Sequence, residues 1–514
     1  MASQQISYDE VPYDSGANSG SHPMRLATLG AVFGMRPPPI ASARVLEVGC
    51  SVGSNLLSIA YGLPDATLVG IDLSEGQIAL ARERAVEIGL RNVTFEVADL
   101  ANYEAEEPFD YIIGLGVFSW ISEPLREKLL ALCGRLLAPN GIAYLTYNIY
   151  PGWYLRQPFR DLMVMSAEGD SPAERIGRSA QVLDFVARAA AAVGNSGNEV
   201  FASAAAKESA TVKRLPPEYV AHEHLETSNA PVYFKDFVEL ASRHGLQYLA
   251  DSSLSAMFPS ELPPQVQEEL HRFSNSQVGI EQMLDFVRGR QFRQTLLCRS
   301  EVPLRRDLST LDIRPFFLSS GGEIARETSP DGATIVRFKS QGSTIRLNSA
   351  VFEAALTRMA DAWPQQLAFG ELFDGSETEA QRAEVAVALT RMYLMGMIRA
   401  DIARVPLPVA VGERPIASRL ARVTAHGDQA TNLLHAAVHI EPIEGELLEL
   451  ADGTLDRGQL AAALSERIQS AGQGSPLEEL ASPGRPPTEL VDEALQAMLE
   501  LALLEPDHQH GGGA

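Results

Sequence analysis

Between residues 44 and 150, short apolar runs alternate with longer amphipathic ones. RVLEVG, ATLVGID, VTFEVAD, FDYIIGLG and GIAYLTYN are compact and rich in β-branched and aromatic side chains, as strands are. NLLSIAYGL, SEGQIALARERAVEIG and EPLREKLLALCGRLL repeat their apolar positions three and four residues apart, the period of a helix that buries one face. Strands alternating with helices predict βαβ units and a parallel sheet covered on both sides. The PNG turn at 139–141 is expected to close the third helix and feed the fifth strand.

From 155 to about 300 the pattern turns mainly helical, with AERIGRSAQVLDFVARAAAAVG and VYFKDFVELASRHGL as its clearest segments and GNSGNE (194–199) as a break. The last third holds a repeat. ALTRMYLMGMIRAD (388–401) aligns without gaps to ALQAMLELALLEPD (494–507), and MAD (359–361) corresponds to LAD (450–452). Short helices, a longer helix and a strand-like exit predict two winged-helix-like modules. The resulting division is 1–154, 155–300 (helical middle domain), 301–404 and 405–508 (the two modules), with a disordered tail at 509–514.

Charge narrows the partners. The 514 residues carry a formal net charge of −24, which disfavours nucleic acid, because binding there rests on neutralising phosphates. The second module's HIEPIEGELLELADGTLD (439–456) would itself repel DNA, so the modules are expected to pack or dock proteins. A basic protein partner suits the charge. No apolar stretch is long enough to span a bilayer, so membrane insertion is not expected. The polar start MASQQISYDE lacks a secretory pattern, and Cys50, Cys133 and Cys298 have no metal-ligand spacing; together these predict a cytoplasmic protein without disulfides. Oligomeric state stays open.

The sharpest chemical signal is VLEVGCSVGSN (45–55). A strand ends in Glu47, and Gly49 and Gly53 then open a helix, where glycine permits a tight turn and close approach to a ligand. The spacing lacks the Gly-x-Gly-x-x-Gly of nicotinamide binders and the lysine of a phosphate loop. VGIDLS puts Asp72, followed by Leu73, at the end of the next strand, where a carboxylate can accept both ribose hydroxyls. VADL puts Asp99 and Leu100 at a third strand end, an acid and an apolar surface suited to adenine. Three such ends in this order resemble the class I S-adenosylmethionine methyltransferases. That resemblance implies an α/β, Rossmann-like domain with S-adenosylmethionine as cofactor, and Glu47, Gly49, Ser51, Gly53, Asp72, Leu73, Asp99, Leu100 and Leu115 at its site. Gly49–Gly53 also formally reads as the Gly-x-Ser-x-Gly elbow of α/β-hydrolases. It closes the first clear strand, however, and no HGGG-type segment precedes it. Ser51 stands where these methyltransferases usually have glycine, which puts a methylene and a hydroxyl at the methionine end.

LGVFSWIS and TYNIYPGW (146–153) follow the fourth and fifth strands and face the same cleft. Phe118 and Trp120 are expected beside the transferred methyl. Trp120, Tyr147, Asn148, Tyr150 and Trp153 are the candidates for orienting an acceptor amine, through aromatic faces that attract an ammonium and through side-chain oxygens. YDEVPYDSGANSGSHPMRLATLGAVFGMRPPP, YNIYPGW, HEHLE and FRQTLLC resemble the bacterial methyltransferases that carry a methyltransferase regulatory domain, among them rickettsial protein-lysine methyltransferases acting on an outer-membrane protein. The resemblance covers essentially the whole chain. It implies a protein-lysine acceptor, with a small molecule and a non-catalytic cofactor binder as the alternatives. Leu115 replaces the family's usual histidine. AHEHLE (221–226) is one residue short of a His-Glu-x-x-His zinc motif, and its expected role is to pack the middle domain on the catalytic one. Every cofactor motif precedes residue 120, so the last module is expected to be dispensable for cofactor binding.

Overall fold

The computed structural model describes residues 10–11, 16–193, 197–226, 228–328, 334–470 and 486–506. The expected disordered tail, and the Gly- and Pro-rich stretch 471–485, lie outside these residues. The five predicted strands form as β1 (Arg44–Val48), β2 (Thr67–Asp72), β3 (Val93–Val97), β4 (Phe109–Gly114) and β5 (Leu137–Asn148). They lie parallel, with β1 between β2 and β4. After α1 (Pro23–Val32) of the N-terminal arm, α2 (Ser54–Gly62), α3 (Glu75–Ile88) and α4 (Glu123–Leu136) cover the sheet. Ser74 caps α3 by accepting from Gln77 N, and Gly89, at φ 88°, ends it in the left-handed conformation. PNG does not precede β5. It lies inside the strand, where the register against β4 jumps from Phe109↔Leu137 to Tyr111↔Ile142. The extra residues are absorbed as a bulge.

The chain then leaves the sheet for four helices, α5 (Gln157–Ser166), α6 (Pro172–Ala192), α7 (Glu199–Val212) and α8 (Pro217–His224). These have a small core of their own, around Phe159, Met163, Leu183 and Val220. The excursion is pinned at its base. Val232 N donates to Asn148 O (3.2 Å) and Tyr150 N to Val232 O (3.1 Å). After α9 (Phe234–Ser242) come β6 (Leu246–Asp251), α10 (Pro264–Phe273), α11 (Gln277–Arg288) and β7 (Phe292–Arg299). β7 runs antiparallel to both β5 and β6, giving the order β3-β2-β1-β4-β5-β7-β6.

The 155–300 segment is therefore mainly helical, as expected, but it also supplies two strands. A boundary at 154 would cut the sheet domain apart. Its base is fixed by a buried charge cluster. Arg293 of β7 is fully buried, bonded to Glu281 (2.9 Å) and Asp285 (3.0 Å) and facing Asp251 at 3.6 Å.

The repeat has matching structure in both copies. Helices Glu379–Leu394 and Pro487–Glu500 each lead into an extended exit, which pairs at Arg399–Asp401 in the first copy and at Leu504 in the second. The second module packs a separate core around Leu447, Leu460, Leu495 and Met498, whereas residues 317–400 contribute to the large core shared with the sheet domain.

Candidate functional site

A cavity of about 770 Å³ opens at the carboxyl ends of β1, β2, β4 and β5, where the strand order reverses. The β1–α2 turn forms one wall. Gly49 has φ 70°, and a Cβ there would meet Val117 Cγ2 at 2.5 Å; Gly53 has φ 79°, and a Cβ there would meet the Phe95 ring at 2.7 Å. Both positions require glycine. Ser51 adopts φ 53° despite its side chain, which costs about 1–2 kcal/mol. It is held there by its N–H to Asp72 Oδ2 (3.0 Å) and by its hydroxyl to Gln77 of α3. The hydroxyl that was expected to crowd the methionine end is thus tied to a helix.

Asp72 accepts from Ser51 N and, through Oδ1, from Ser74 N (3.0 Å). A carboxylate has about four acceptor sites, so two remain on a side chain that lines the cavity. Leu73 beside it is 68% exposed and lines the same space, an apolar surface open to a planar ring. Leu100 and Leu115 also line it. Glu47, Gly53 and Asp99 do not. Asp99 is exposed and accepts from Ala101 N (2.9 Å), capping its own turn. Glu47 lies beneath the turn, 2% exposed. Its Oε1 accepts from Asn55 Nδ2 (2.9 Å), and Oε2 has no partner among the described residues. Burial pushes its carboxyl up to about 8; the Asn55 bond opposes the shift and the Asp72 charge adds to it.

The acceptor end departs further from expectation. Trp120 is half-buried and lines the cavity, with the Arg160 guanidinium 6.0 Å from its ring centre. Phe118 does not lie beside the methyl position. It is fully buried against the rings of Tyr147 (5.6 Å) and Phe237 (5.1 Å). Tyr147 stacks on Phe237 at 4.0 Å and bonds Thr295 Oγ1 through its hydroxyl (2.9 Å), so that oxygen serves the core. Asn148 Nδ2 donates to Asn229 Oδ1 (3.1 Å), leaving its own Oδ1 as an acceptor on the cavity wall. Tyr150 is outside the cavity, stacked on Tyr154 (4.1 Å). Trp153 is both wall and core. It is 1% exposed, its Nε1 has no partner among the described residues, and its ring faces Arg156 at 4.8 Å instead of standing free for a lysine. Trp153→Ala should lower stability by about 3 kcal/mol, the lower end for a large aromatic, since the new void opens into a cavity water already reaches. Trp153→Phe should recover most of that, by chemical denaturation.

One group of wall residues was quoted in the sequence but read as packing. Tyr219, His222 and Glu223 of α8, with Glu226 just beyond it, roof the cavity. Packing is half of their role: His224 bonds Glu208 (3.0 Å) and His222 bonds Val11 O (2.6 Å). Glu223 approaches Arg156 only to 3.7 Å, and burial raises its pKa against the pull of that cation. Around this roof three carboxylates, Glu208, Glu223 and Glu226, face two guanidiniums, Arg156 and Arg160. The acceptor end is therefore aromatic and net acidic.

Three family models match the chain: a methyltransferase domain over 45–141, a predicted methyltransferase regulatory domain over 216–299, and the PKMT C-terminal winged helix domain over 413–503. Among curated relatives, the uncharacterized protein RP789 of Rickettsia prowazekii is 37% identical over 311 residues, 60% of this chain and 55% of that protein. RP028 of the same organism is 33% identical over 48% of this chain and 97% of its own length. The chain thus spans about half of the first relative and nearly all of the second. The solved structure of PKMT2 from Rickettsia typhi in complex with AdoHcy superposes with a TM-score of 0.84 at 26% identity, covering 96% of this chain and 100% of that one. With the seven-stranded sheet, the strand-end cavity and the three domain matches in agreement, the chain belongs to the S-adenosylmethionine-dependent methyltransferases that carry a regulatory domain and a PKMT winged-helix domain.

Proposed function

We propose that the protein transfers a methyl group from S-adenosylmethionine to lysine side chains of a protein. The observation that carries this reading is the acidic, aromatic roof from α8 over the acceptor end of the cavity. Bound S-adenosylmethionine supplies an electrophilic methyl on a sulfonium. Asp72 takes the ribose hydroxyls and Leu73 and Leu100 the adenine faces. The rest of the chain must hold a neutral amine in line and keep water out. Glu223 receives the lysine ammonium and accepts its proton, a role that a carboxyl raised by burial performs better than an ordinary one. Asn148 Oδ1 and the Trp120 face then fix the amine's direction.

The acceptor is a basic protein, to which the charge of −24 is complementary; an outer-membrane protein methylated before export is one such acceptor. We place the reaction in the cytoplasm, where the three free, buried cysteines stay reduced. Among the described residues no helix is long and apolar enough to cross a membrane.

Glu223→Gln preserves shape and should cut methyl transfer to a lysine-rich protein about 100-fold, with AdoHcy affinity within about twofold of wild type. Unchanged transfer would remove Glu223 from the site. The charge and rings of the roof carry the lysine reading; the enclosure it creates is what a second reading, a small acceptor held under α8, rests on. Labelled methyl found in the low-molecular-weight fraction of a lysate, and absent from protein, would establish that reading and end the first.

A further inference from the structure

We propose that the C-terminal winged-helix domain is a working part of the cofactor site, and that His435 is the positioning residue through which it acts. This rests on the cofactor reading above and concerns residues outside the cavity wall. His435 lies between the short strands Gln429–Thr431 and Ala437–His439, at φ 57°. Asn432 clamps this turn, accepting from Leu434 N and Ala436 N (3.0 Å each) and donating to Leu501 O (2.9 Å). The turn is held against α2, the helix that the cofactor motif opens. The His435 ring is 3% exposed, with Nδ1 2.8 Å from Ser58 Oγ and Nε2 3.0 Å from Asn55 Oδ1.

These contacts determine protons. Burial, the His22 ring 5.1 Å away and the charge of Arg399 outweigh the pull of the Asn18 backbone and keep His435 neutral, with one donor and one acceptor. Asn55 Oδ1 already accepts from Asn18 N (3.0 Å), and it shares the single proton of the Ser21 hydroxyl with the nearer Asn18 O (2.8 Å). With Oδ1 an acceptor, the facing Nε2 of His435 carries its proton and is the second full donor, and Nδ1 accepts the Ser58 hydroxyl. The Asn55 NH₂ then faces Glu47 Oε1, the carboxyl beneath the Gly49–Gly53 turn. The same amide anchors Asn18, which lines the cavity. One imidazole from the last module thus braces an amide that holds the motif's acid on one side and an arm residue of the cavity wall on the other. Cofactor motifs end before residue 120, but their support does not.

The test is AdoHcy affinity by titration calorimetry on the full chain. His435→Gly keeps the left-handed turn and removes the ring; affinity should fall about 10-fold, and added imidazole should restore most of it. Tyr61→Phe is the control. It breaks a different contact of the module with α2, that of Tyr61 with Glu505, and should leave affinity within about twofold. Ser58→Ala frees the Nδ1 side of the ring without touching the module's backbone, and should cost about threefold even if His435→Gly folds poorly. Unchanged affinity in His435→Gly or Ser58→Ala, or an equal loss in Tyr61→Phe, would overturn the proposal. No binding by the wild type would instead overturn the cofactor reading.

Discussion

Asp72→Ala should lower cofactor affinity by about two to four orders of magnitude. Two charge-assisted hydrogen bonds to ribose hydroxyls, at about 1.5–3 kcal/mol each, account for that range. The sequence alone suggests a variant that is otherwise intact. The structure adds a second loss, because the same carboxylate holds Ser51 N and Ser74 N. Without it the unfavourable Ser51 conformation loses one of its two anchors, and Ser74, the cap of α3, loses the acceptor for its own N–H, a cost of about 1–2 kcal/mol. Calorimetry with AdoHcy and urea denaturation separate the two effects. Asp72→Asn, which keeps one acceptor oxygen, should fall between wild type and alanine in both. Wild-type affinity in Asp72→Ala would sink the assignment of this strand end to the ribose.

The largest effect on stability is expected at Arg293. Arg293→Met leaves Glu281, Asp285 and Asp251 buried, with Arg290, bonded to Asp251 at 2.7 Å, and the more distant Arg306 as the remaining cations and Tyr248 and Gln277 still hydrogen-bonded to Glu281. Breaking a buried pair by removing one partner costs about 3–5 kcal/mol, and with three acids involved the upper figure applies. The loss should depend on pH with a definite sign. Burial already raises Glu281 and Asp285, and the cation is what opposes that shift. In the variant both folded-state pKa values rise further above the unfolded ones. Stability is then retained at mildly acidic pH, where the acids are protonated, and lost as pH rises through the folded values. Urea midpoints at two pH values check this; a pH-independent loss would contradict it. The register Tyr147↔Arg293 and Asn148↔Phe292 carries the damage to the cavity wall, so methyl transfer should fall along with stability.

What the sequence revealed follows from range. β1 to β5 and α2 to α4 were legible because each repeats its own period and is followed by its partner. LQYLAD and FRQTLLCR were not, since each lies among helical patterns and pairs with strands far away in the chain. The strand-end motifs led to the cavity because they are short and local, and Gly49, Ser51, Asp72, Leu73, Leu100 and Leu115 all line it. Asp99 was misplaced because an exposed acid two residues before a free N–H caps its own turn. Tyr150 was misplaced for a steric reason. A Cβ at Gly152 would lie 2.4 Å from Arg290 O, so the backbone passes hard against the loop before β7 and turns Tyr150 outward onto Tyr154 and Tyr233. HEHLE was visible as a motif, but that Glu223 stands over a cavity depends on how α8 is returned to the sheet, which no local spacing encodes.

The four-helix excursion joins the sheet through a narrow stalk at Asn148 and Val232, and none of the strand-end residues assigned to the cofactor lies on it. Floor and roof can therefore accumulate substitutions at different rates. A change in α8 alters what is admitted without disturbing Asp72 or Gly49, and a lineage can trade one acceptor for another while its cofactor chemistry stands still. Descendants of one such ancestor would share their glycines and their ribose acid and differ in the residues of a single inserted loop.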